Sequence, residues 1–147
     1  MDRNGMISTL NELIETCKDG EEGFLACAQS VKNPTLKSFF EEKAQRCATA
    51  TTQLRDKVRA LGGVPESGGS TAGALHRAWV NIKSSVVGRD DHAILAECER
   101  GEDVAKRAYE QALQADLPPD VRTLIGTQYR EVKSNHDHVR DMRNAVV

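Results

Sequence analysis

The chain has 147 residues, 39% of them apolar and 29% charged, a balance that supports a buried core and excludes a disordered chain. Twenty Lys and Arg against 22 Asp and Glu leave a net charge of −2, which excludes the concentrated basic face of a nucleic-acid or anionic-membrane binder. No apolar run reaches the ~20 residues of a bilayer span, and the opening Met1-Asp2-Arg3-Asn4-Gly5 lacks the apolar stretch of a secretory leader. The expectation is a cytoplasmic protein, with one domain over residues 1–147.

Apolar residues at three- and four-residue spacing predict a first helix over roughly 6–31, striped by Leu10, Ile14, Cys17, Phe24, Ala28 and Val31. Asn33-Pro34 opens a second, whose stripe is Leu36, Phe40, Ala44, Cys47, Leu54, Val58 and Leu61, and Gly62-Gly63 stops it. These two form a hairpin over 6–62. A crossover over 63–89 follows, rich in Gly and Ser, with a short helix marked by Leu75, Trp79, Ile82 and Val86 and ended by Gly88. Trp79 reads as the anchor of that short helix, with Arg77 and Lys83 reaching solvent. Asp90 or Asp91 caps a third long helix striped by Leu95, Cys98, Ala105, Tyr109 and Ala112. The fourth runs from Pro119 towards Asn144 with Val121, Ile125, Val132, Val139 and Met142 inward, closing a second hairpin over 90–145. No segment sustains period-two alternation, so the fold class is all-α.

Cys17, Cys27, Cys47 and Cys98 contain no C-x-x-C pair and no zinc-finger spacing with histidine, so they read as buried thiols. Two of them head a repeat: Cys17-Lys18-Asp19-Gly20-Glu21-Glu22 on the first helix returns as Cys98-Glu99-Arg100-Gly101-Glu102-Asp103 on the third. Two similar hairpins joined by a long crossover make a ferritin-like up-down-down-up bundle with a short extra helix in the crossover. The stripe carries Glu21 and Glu102 inside it, where a carboxylate must be protonated, paired with a cation or bound to metal.

The run DGEEGF (Asp19 to Phe24), LGG-x-P (Leu61 to Pro65), A-x-H-R-x-W-x-x-x-K (Ala74 to Lys83) and CERGED (Cys98 to Asp103) resemble a bacterial domain of unknown function, a ferritin-like four-helix-bundle family related to the YciF-type stress proteins. The resemblance implies a ferritin-like bundle, a homodimer and a link to stress, and leaves the activity open.

A ferritin-like two-metal centre takes one Glu from each of two helices and Glu-x-x-His from each of the others. Glu21 and Glu102 suit the first pair. The second helix offers only Glu42-x-x-Gln45, and the fourth Glu131-x-x-Ser134 with His136 in phase with its stripe, so Glu21, Glu102 and His136 make at most a partial iron or manganese site. The alternative is a buried polar network in which Arg46 reaches Glu21 and Glu102, with Gln128 or His136 completing the hydrogen bonds. No spacing suggests a nucleophilic triad, and no glycine-rich loop joins a strand to a helix. The preferred reading is a non-enzymatic bundle with no cofactor, acting through homodimerisation or an unidentified protein partner. The second is an iron- or manganese-binding protein with oxidase or peroxide-handling activity.

Overall fold

The computed structural model describes residues 2–66 and 90–145, so the expected short helix and its Trp79 lie outside the described residues. Four helices make up the described structure: α1 (Arg3–Ser30), α2 (Pro34–Ala60), α3 (Asp91–Leu113) and α4 (Pro119–Ala145), with no strand among those residues. The ends are set locally. The Asp2 carboxylate accepts the Gly5 N–H at 2.8 Å to cap α1, and the Asn33 side chain accepts from Thr35 and Leu36 at the start of α2, where Pro34 has no N–H to lose. Gly62, at φ +81°, ends α2: its N–H donates to the Arg59 carbonyl and that of Gly63 to Val58, both at 2.9 Å, which satisfies carbonyls of the last turn.

Asp90 and Asp91 divide the work at the start of α3. Asp90 caps the helix through the Ala93 N–H at 2.8 Å, while Asp91 accepts the Lys32 and Asn33 N–H groups at 2.9 and 3.1 Å. Asp91 therefore ties the α1–α2 turn to the beginning of α3. Because α3 thus starts at the same end as α2, these two helices run in the same direction, and the four run up, down, down and up.

Two apolar clusters fill the bundle. One joins the C-terminal half of α1 to the N-terminal halves of α2 and α3 and the end of α4, through Phe24, Phe40, Ile94, Leu95 and Val139. Phe24 and Phe40 stack there with centroids 6.3 Å apart. The other cluster gathers Leu10, Leu13, Ile14, Leu54, Val58, Tyr109 and Ile125 at the opposite end. Between them along the helices, buried positions turn polar: Asp19 on α1, Thr51 on α2, Glu102 on α3, Gln128 and His136 on α4. The hairpin partners pack closely and α1 packs on α3, whereas the contact between the neighbouring α2 and α4 is sparse. This leaves an opening along the α2–α4 seam at the polar level.

Candidate functional site in the polar middle of the bundle

Glu102 is 3% exposed, and neither of its carboxylate oxygens has a hydrogen-bond partner among the described residues. Burial pushes this carboxyl well above the usual range; Lys43 draws it partly back, while the negative Asp103 and Glu99 add to the rise. Its repeat counterpart sits elsewhere. Glu21 is half-buried on the flank of α1 and pairs with Lys18 at 3.2 Å. The expected face-to-face carboxylate pair is corrected accordingly: α1 is rotated so that Thr16, Asp19, Gly20 and Gly23 point inward and Glu21 lies to one side.

Arg46 also departs from the expected network. Its side chain is 53% exposed, and its guanidinium donates through Nε to Glu42 at 3.2 Å and through Nη1 to Glu131 at 2.9 Å. It bridges the outer edge of the α2–α4 seam instead of reaching Glu21 and Glu102, because position 46 points past the inward-facing Ala44 and Cys47 towards the gap. His136 is 10% exposed at its side chain and sits between two carboxylates, with Nε2 2.6 Å from Asp103 and Nδ1 3.2 Å from Asp137. The hydrogen bond from His136 holds the Asp137 carboxyl below its usual range.

Gln128 anchors a separate chain of hydrogen bonds that spacing alone did not reveal. Its Oε1 accepts from the Tyr109 hydroxyl at 2.8 Å, and its amide nitrogen donates to Gln53 at 3.0 Å and to the Ala50 carbonyl at 3.3 Å. Since the Tyr109 proton goes to Gln128, the Cys17 thiol, 3.1 Å from the phenol oxygen, is the donor in that contact. Burial pushes Cys17 up to about 11, so it is a protonated thiol at neutral pH. The sequence clue was present: Cys17, Tyr109 and Gln128 each fall on an inner face.

Among the described residues, no three His, Cys, Asp or Glu side chains converge closely enough to hold a metal ion. Glu21, Glu102 and His136 are thus not brought together as a ligand set. The carboxylates that the other two helices could offer, Glu42 and Glu131, are already engaged by a guanidinium. The described residues do not fit the two-metal centre of a ferritin-like bundle, although Glu102 alone would suit one of its positions.

The model of a family described as a domain of unknown function, DUF2383, matches residues 5–115. No curated protein matches the chain. Two solved structures are similar over nearly its whole length. One is the dodecameric thioferritin that is the bacterioferritin-related protein of Bacteroides fragilis, at 16% identity and a TM-score of 0.81, covering 99% of this chain and 88% of that one. The other is a point variant of Dps1 from Mycobacterium smegmatis, at 13% identity and a TM-score of 0.75, covering 96% of each chain. At these identities the likeness shows the fold, a ferritin-like helical bundle. No helix of the described residues is long and apolar enough to cross a membrane.

Proposed function

The chain belongs to the DUF2383 family, and on that premise we propose that it is a non-enzymatic ferritin-like bundle that acts by assembling with copies of itself, the homodimer being the unit. The observation that carries this reading is Arg46, whose guanidinium joins Glu42 on α2 to Glu131 on α4. Arginine keeps its charge at all physiological pH values, so it is a fixed cation at carboxylates that a divalent ion would otherwise use. Self-association is supported by the dodecameric state of the similar thioferritin. A role in stress rests on the resemblance to YciF-type proteins.

A second reading, iron or manganese handling with oxidase or peroxide chemistry, is favoured by one observation, the buried Glu102, whose carboxylate oxygens have no hydrogen-bond partner among the described residues. The two readings separate when Fe(II) is added anaerobically and air is then admitted, with Fe(III) followed by absorbance and mass by light scattering. The proposal expects iron to oxidise no faster than in a protein-free control, with the scattered mass at or above twice that of one chain. Protein-accelerated oxidation would replace it with the second reading, and a monomer would remove its assembly half.

A further inference from the structure

We propose that the opening between α2 and α4 is a binding site for a small uncharged ring compound bearing a hydroxyl or carboxamide group. This goes beyond assembly and does not depend on it. The cavity measures about 330 Å³, at the small end of the roughly 300–1,000 Å³ typical of ligand pockets, which suits one or two fused rings. Cys47, Ala50 and Val132 supply apolar walls, and the Tyr109 ring and Cys17 lie deeper.

Three features select against an ion. Arg46 and Glu131, the charged residues of the lining, are paired with each other at 2.9 Å, so a charged ligand would have to displace one of them. The thiols inside are held in their neutral form by burial. The polar groups at depth are an amide and a phenol, both neutral and both fixed: Gln128 is clamped by Tyr109, Gln53 and Ala50. Gln128 Oε1 accepts one hydrogen bond and keeps a second lone pair for a ligand hydroxyl. Thr49 lines the same cavity and donates to Gln45, which leaves its oxygen free to accept. A flat apolar body with one neutral hydrogen-bonding group matches this lining.

The test uses the full chain and 2-naphthol as probe, followed by titration calorimetry, with 2-naphthoate and naphthylmethylammonium as charged counterparts. Ala50→Leu fills the cavity from within. Thr49→Trp blocks the mouth from an exposed position and keeps the test valid should the first variant fold poorly. The expected result is saturable binding of 2-naphthol, weakened at least about tenfold by each folded variant, with both ions weaker than the neutral probe by a similar factor. Absence of saturable heat, an affinity unchanged in the folded variants, or an ion that binds as tightly as the naphthol would each overturn the proposal.

Discussion

A carboxyl sealed among apolar helices resists ionisation, because water can no longer solvate its charge. For Glu102 this has a definite sign. Its folded value lies well above 4.5, the ordinary value it regains on unfolding. Between those two values the native state holds one more proton than the unfolded chain, so stability falls as pH rises, approaching about 1.4 kcal/mol per unit from this group. Its favourable contribution is complete below 4.5 and is lost as pH climbs towards the folded value. Glu102→Gln removes the slope, and urea unfolding across pH should show the variant gaining on the parent from weakly acidic to neutral solution. Parallel profiles would contradict this. The thiols allow a second check: Cys17, Cys27 and Cys98 are buried and Cys47 is half-buried, all unbridged. An aromatic disulfide reagent at mildly alkaline pH should therefore label the native protein slowly, and all four thiols at once only in denaturant. Rapid labelling of several would contradict the burial. At this scale the sequence was an uneven guide. Spacing places a residue on a helix face but not the rotation of that helix against its neighbours, so Glu21 and Glu102 share a motif and differ in surroundings. Nor does spacing reveal how far α2 stands from α4, which is why Arg46 was expected inside and lies at the seam.

Helices report on their ends and on their weakest interior positions. Asp90 caps α3 through the Ala93 N–H, and Asp90→Ala should cost about 1 kcal/mol. The glycines of α4 and of the α2 terminus should respond in opposite directions. A Cβ on Gly126 meets nothing within 4 Å, so Gly126→Ala should stabilise by about 0.5–1 kcal/mol through helix propensity and chain entropy. Gly62 has φ +81°, where a side chain is strained, so Gly62→Ala should destabilise by about 1 kcal/mol. Thermal or urea unfolding of the three variants reads all three signs, and a destabilised Gly126→Ala would contradict the open space around it. The elements were the most legible feature of the chain. Apolar stripes, Asn33-Pro34, Asp90 and Gly62 are local signals that need no partner to be read, and α2 begins at the expected Pro34. The double role at the start of α3 was not legible. That Asp91 turns to the Lys32 and Asn33 amides depends on where another turn lies in space.

Over the described molecule, two apolar ends enclose a polar level in which three charged or titratable groups follow different rules. Among the described residues, Glu102 is sealed without a hydrogen-bond partner, His136 lies between Asp103 and Asp137, and Arg46 joins α2 to α4 through two carboxylates. Among the described residues, the ferritin-like bundle shows no converging set of metal ligands. The most direct measurement is elemental analysis of protein purified without chelator or affinity metal, repeated after anaerobic incubation with Fe(II) and desalting, on the parent and on Glu102→Gln. Iron and manganese should stay far below one ion per chain in both proteins. Near-stoichiometric metal in the parent, lost in Glu102→Gln, would contradict it.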